Sequence, residues 1–179
     1  MLPAIFGLSG LTLTAEEVEL IRRVDPLGFI LFARNIENPQ QVKLLTDALK
    51  HHTGRDNLPI LIDQEGGRVA RLGPPHWRTW PPALEFAHVY AQSPERGRAA
   101  VVCNYQALAL DLAALGISVN CAPVLDVPEP GAHDIIGDRA FGSEPQGVAE
   151  LGAALLEGFA KAGVVGVIKH IPGHGRALA

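Results

Sequence analysis

The sequence predicts an α/β protein in which about five short parallel strands alternate with helices, and three observations lead there. Five brief apolar runs, at residues 4–8, 27–33, 58–62, 117–125 and 164–168, have the length of strands. Segments with helix-start signals or helical periodicity separate them. No hairpin signal joins one run to the next, so each strand must be reached by a crossover, which is right-handed in parallel sheets. An antiparallel α+β sheet is the competing arrangement, and it lacks the tight turns it would need.

Each element has its own warrant. After the first strand, Thr14-Ala-Glu-Glu17 matches a capping box, in which the Thr oxygen and the Glu carboxylate satisfy free amides at a helix start. Val18, Ile21 and Val24 continue that helix along one face. Residues 27–33, bounded by Pro26 and Arg34, form a continuous apolar run, the pattern of a strand covered on both sides. Asn38-Pro39 opens the second helix, with proline at the first helical position and Val42, Leu45 and Leu49 as its apolar stripe. The strand at 58–62 ends at Asp63. Ser93-Pro94-Glu95 starts a long helix that stops at Gly116, a natural left-handed cap. The strand at 117–125 ends at Asp126. Pro145 begins a helix running to Gly163, and the strand at 164–168 ends at Lys169-His170.

Composition narrows the function. The chain has 179 residues, 15 Lys plus Arg against 19 Asp plus Glu, and a formal net charge of −4. This balance, with no basic stripe, gives no electrostatic case for nucleic acid. No run approaches the roughly 18 apolar residues a membrane helix needs. The apolar start has no preceding Lys or Arg and is broken by Pro3, Gly7 and Gly10, so it reads as a first strand rather than a signal peptide. Cys103 and Cys121, both in apolar neighbourhoods, are expected to be buried thiols suited to a reducing cytoplasm. A complete eight-stranded β/α barrel takes about 250 residues, so this length is short for one.

The chemistry is expected at the strand ends. Asp63, Asp126 and Lys169-His170 each follow an apolar run directly, and neighbouring strand ends lie about 5 Å apart. Two long connections, residues 64–92 and 127–144, leave the same side of the sheet, where parallel β/α folds build their sites. Gly66-Gly67 permits a tight turn that returns Arg68 and Arg71 toward the pocket. Carboxylates that accept and cations that donate suit a neutral polyol, with Trp77 or Trp80 either stacking on a sugar ring or pinning its loop. Two other readings of residues 169–175 are weaker. His170 and His174 do not form a helical metal pair because Pro172-Gly173 intervenes, and Gly173-His-Gly175 lacks the third glycine of a dinucleotide loop.

Four segments, taken in order, resemble motifs of bacterial family 3 β-N-acetylhexosaminidases: Asp63-Gln-Glu-Gly-Gly-Arg-Val, Ala122-Pro-Val-Leu-Asp126-Val, Ile136-Gly-Asp-Arg139 and Lys169-His-Ile-Pro-Gly-His-Gly. The resemblance implies an incomplete (β/α)8 TIM-type barrel, with residues 1–179 as the N-terminal portion of the catalytic barrel. It implies a cytoplasmic glycosidase that removes N-acetylglucosamine from peptidoglycan fragments during cell-wall recycling, by a retaining mechanism and with no metal or cofactor. Asp63, Arg71, Arg139, Lys169 and His170 fall at the matching sugar-binding positions. Ile171 stands where the family more often has Phe, a change expected to be tolerated as apolar packing. The family's acid/base His, in an Asp-x-His element, and its nucleophilic Asp are expected beyond Ala179, so no catalytic residue is assigned within the chain. His174 belongs to the motif and is not that acid/base, and neither Glu65 nor Asp126 is assigned as nucleophile. The expected partner is an N-acetylglucosamine-containing muropeptide, with no nucleic acid and no membrane, and with self-association through open sheet edges. The alternatives are a non-catalytic sugar-binding or regulatory module and a phosphate-binding α/β enzyme.

Overall fold

All five strands lie side by side in one parallel sheet in the order β1-β2-β3-β4-β5, as successive crossovers require. A computed structural model describes residues 1–178. The elements are β1 (Leu2–Gly7), α1 (Ala15–Val24), β2 (Pro26–Leu31), α2 (Pro39–Thr53), β3 (Ile60–Ile62), α3 (Ala83–Gln92), α4 (Pro94–Ala114), β4 (Val119–Asn120), α5 (Pro145–Lys161) and β5 (Val165–Gly166). Short 3-10 turns sit at Ala33–Asn35 and Gly137–Arg139.

The helix starts follow the sequence signals. Thr14 accepts from the Glu17 amide at 3.1 Å, and the Glu17 carboxylate accepts from the amides of Thr14 and Ser9. Asn38 and Ser93 cap α2 and α4 through the amides of Gln41 and Arg96. Gly116, just past α4, has a positive φ of 77°. Strand residues Phe29, Leu31, Ile60 and Ile62 are fully buried, and α2 covers them with Val42, Leu45 and Leu49. The α4 and α5 helices pack on each other through Tyr105, Leu108, Leu112, Leu151, Leu155 and Phe159.

Two features depart from the sequence expectation. The connection 64–92 is not wholly irregular, because α3 occupies its second half. Pro81-Pro82 reads as loop, yet Pro82 is the N-cap of a helix that buries Ala83 and Phe86 on one face. Ser93 both ends α3 and caps α4, which conceals the boundary. Among the described residues there are therefore five α-helices rather than the four expected from the sequence. In addition, β4 and β5 are regular for two residues only. Their ladder resumes as an isolated bridge between Val124 and Lys169, with the Leu125 amide donating to the Lys169 carbonyl at 2.7 Å. Cys121 is half-buried, but Cys103 is exposed on α4, since it falls on the outer face of that helix.

β1 and β5 each have a single strand neighbour, and apolar side chains stand exposed along them: Leu2 and Ile5 on β1, and Val165 on β5 with Val167 and Ile168 beyond it. This is the edge pattern of an incomplete barrel.

One buried polar residue joins the sheet to the site loop. Asn120 on β4 has no solvent exposure, and its side chain accepts from the Gln64 amide at 3.0 Å and donates to the Gln64 carbonyl at 2.8 Å. Gln64 in turn accepts from the amides of Arg71 and Leu72 and donates to the Leu72 carbonyl. Asn120→Ala leaves both main-chain groups of Gln64 without these partners in a buried site. The expected loss is about 2 kcal/mol of unfolding free energy, measured by urea denaturation.

Candidate functional site

The C-terminal ends of β3, β4 and β5 bring three loops together. Gly66 and Gly67 have φ values of 99° and 57°, where a side chain would be strained and a Cβ would also strike Pro81 or Pro82. The turn they make is closed by the Glu65 amide donating to the Val69 carbonyl at 2.9 Å and by the Gly67 amide donating to Trp80. It returns the chain so that Arg71 meets Asp63 at 3.2 Å.

A buried carboxylate lies at the centre. Glu65 is 6% exposed and receives Arg139 in a two-pronged contact, Nε to Oε2 at 2.8 Å and Nη2 to Oε1 at 2.9 Å. Lys169 Nζ sits 2.5 Å from Glu65 Oε1 and 3.0 Å from Asp63 Oδ1. Arg139 also reaches His170 Nε2 at 3.3 Å, while His170 Nδ1 lies 2.5 Å from Asp126 Oδ2. Asp63, Arg71, Arg139, Lys169 and His170, the five residues singled out from the sequence, thus form one connected cluster.

The electrostatics follow from the pairing. Hydrogen bonding to Glu65 holds the Arg139 guanidinium above its ordinary pKa, against the opposing effect of burial. Burial pushes the Asp126 carboxyl up, but hydrogen bonds from His170 and the His174 amide outweigh it and leave it below the ordinary value. That lowered value means Asp126 contributes stability at neutral pH, which is lost as pH falls through its folded-state value. Burial raises the Cys121 thiol, with Asp63 adding to the effect. Asp63 and Glu65 are met by Arg71, Arg139 and Lys169, and Asp126 by His170, so the cluster sets hydrogen-bond acceptors and donors side by side. Such a lining suits a hydroxyl-rich neutral ligand.

Some expected contributors do other work. Arg68 points away from the pocket: it pairs with Asp138 at 3.0 Å and donates to the carbonyls of Asp134, Ile135 and Ile136, joining the two long loops. Trp80 is 7% exposed within the core and Trp77 packs against it, so both pin the loop. The rings of His170 and His174 are 6.4 Å apart, and Asp126 takes the ring of the first but only the backbone amide of the second. Gly175 is required by close approach, since a Cβ there would lie 2.0 Å from the Val127 carbonyl oxygen. Ile171 is 79% exposed rather than packed.

Glu65 and Asp126 are the carboxylates of the cluster that the family resemblance does not place among its sugar-binding positions. For Asp126 the signal is its place at a strand end. For Glu65 the only signal is its position two residues past Asp63, because its partner Arg139 lies 74 residues away.

Comparison with known proteins agrees with this geometry. Residues 6–179 match the glycosyl hydrolase family 3 N-terminal domain. A beta-hexosaminidase from Methylobacillus flagellatus is 38% identical over 177 residues, covering 99% of this chain and 50% of that protein. Another, from Alkalilimnicola ehrlichii, is 40% identical over 173 residues, covering 97% and 49%. The crystal structure of NagZ from Neisseria gonorrhoeae in complex with N-trifluoroacetyl-D-glucosamine superposes with a TM-score of 0.90 at 35% identity, over 97% of this chain and 51% of that one. The chain therefore spans about half the length of the relatives it matches. With a matching family model, the four ordered motifs at strand ends and in the loop after β4, and the five-stranded parallel sheet, the chain belongs to glycosyl hydrolase family 3, within the family's N-terminal domain.

Proposed function

We propose that this chain carries the sugar-recognition half of a β-N-acetylhexosaminidase that releases terminal N-acetylglucosamine from peptidoglycan fragments. The observation that carries the reading is the charge-balanced cluster around Glu65, in which Asp63, Arg71, Arg139, Lys169 and His170 converge at three strand ends. Carboxylate oxygens of Asp63 would accept from sugar hydroxyls, and Arg71, Arg139 and Lys169 would donate to them. The relatives named beta-hexosaminidase and the likeness to an enzyme bound to an N-acylated glucosamine support this class of ligand. A muropeptide is the natural carrier of such a sugar. The cytoplasm fits its recycling and also fits two unpaired thiols, one of them exposed.

Hydrolysis with retention needs a nucleophilic carboxylate and an acid/base on opposite sides of the glycosidic bond. In this reading those groups lie beyond residue 179, and the three carboxylates of the cluster are committed to cations or to His170. Loss of the acid/base alone costs about 10²–10⁴ in rate, and loss of the nucleophile closes the covalent route. Calorimetry of the pure 179-residue chain is expected to show saturable binding of N-acetylglucosamine, weakened about tenfold in Arg71→Ala. The same protein is expected to release no 4-nitrophenol from the corresponding N-acetylglucosaminide. Enzyme-like release, or a chain that binds phosphate or nucleotide and not the sugar, would overturn the reading.

The exposed apolar side chains of β1 and β5 also make the 179-residue chain self-associate. Sedimentation velocity is expected to show a mass that rises with concentration. A monodisperse monomer across that range would contradict it.

A further inference from the structure

Asp126 stands apart from the other carboxylates of the cluster. Asp63 and Glu65 pair with cations, whereas Asp126, whose side chain has no solvent exposure, pairs with a histidine. Its two oxygens have separate tasks. Oδ1 accepts from the His174 backbone amide at 2.5 Å, and Oδ2 meets His170 Nδ1 at 2.5 Å. An amide N–H is always a donor, so it fixes the carboxylate plane and leaves Oδ2 aimed at the imidazole. At the opposite ring nitrogen, Nε2, the group in contact is the Arg139 guanidinium, which can only donate. A histidine between a carboxylate on one side and a guanidinium on the other has one neutral arrangement that satisfies both: hydrogen on Nδ1 and a lone pair on Nε2.

We propose that Asp126 is a positioning residue that holds His170 as the Nδ1–H tautomer, so that its Nε2 accepts from Arg139 Nη2 and steadies the guanidinium beside Glu65. The imidazole thereby positions Arg139, one of the donors that the sugar reading assigns to the ligand. This role rests on the sugar-binding reading given above, but the tautomer itself does not.

The strand register explains why Asp126 can do this. The parallel bridge between Val124 and Lys169 puts the two segments in step, which brings Asp126, two residues on, beside His170, one residue on. Gly175 completes the arrangement by lying against the Val127 backbone, with its carbonyl accepting from the Glu129 amide at 2.9 Å, which holds the His174 amide over Asp126.

The test is nitrogen NMR of the 179-residue chain labelled in histidine, together with calorimetry using N-acetylglucosamine. In the unsubstituted chain His170 is expected to be protonated at Nδ1 and unprotonated at Nε2 at neutral pH. In Asp126→Asn the side-chain oxygen stays with the His174 amide and the NH2 group faces His170, so the ring should change to the Nε2–H tautomer. Sugar affinity should then fall about tenfold, but no more than about twofold when the same change is made in His170→Ala, because the effect passes through that ring. An Nε2–H tautomer in the unsubstituted chain would overturn the proposal, and that measurement stands even if Asp126→Asn fails to fold. Equal losses of affinity in both backgrounds would also overturn it, since they would mark a purely structural role. An Nδ1–H ring in a chain that binds no amino sugar would reject the sugar reading and leave the positioning of His170 intact.

Discussion

The site is organised by the contact of one buried carboxylate with two cations from different loops. Glu65, Arg139 and Lys169 follow β3, β4 and β5 respectively, and no two of them share a secondary-structure element. A carboxylate at 6% exposure is costly to bury alone, and so is a guanidinium at 11% or an ammonium at 14%. Each makes the burial of the others tolerable, so the three loops hold a common arrangement. Removing one partner would leave the remaining charges buried without compensation, a larger penalty than the loss of a surface ion pair.

This constraint explains the polar groups beneath the cluster. Asn120 and Gln64 fix the main chain on the side of Glu65 where the sheet ends, and the Tyr105 hydroxyl donates to the Glu65 carbonyl at 3.1 Å from within the helical core. Arg68 secures the other end of the Gly66-Gly67 turn to the loop that carries Arg139. The charged side chains of the cluster are thus held by polar side chains beneath and beside them. Pre-organisation of this kind lowers the ordering cost of binding a small neutral molecule.

Much of this was legible in the sequence, for identifiable reasons. Apolar runs with capping signals place the strands and most helices because burial and unpaired amides act locally, as at Thr14 and Asn38. Charged residues directly after apolar runs locate the pocket, since a parallel sheet brings strand ends together whatever the loops do. The α3 helix was hidden because Pro81-Pro82 ends one pattern and Ser93 serves two helices at once. Arg68 was placed in the pocket because a turn predicts a direction of return but not the partner waiting there. The same limit applies to Glu65, whose importance depends on cations that are distant in the chain and adjacent only after folding.

The central claim is that the Glu65 cluster is formed before ligand arrives and recognises the sugar without rearranging. Crystal structures of the 179-residue chain with and without N-acetylglucosamine test it directly. The account predicts that the Glu65 contacts with Arg139 and Lys169 are the same in both, with sugar hydroxyls meeting the free hydrogen-bonding positions of Asp63, Arg71 and Lys169. A sugar bound elsewhere, or either cation leaving Glu65 to reach it, would contradict the account.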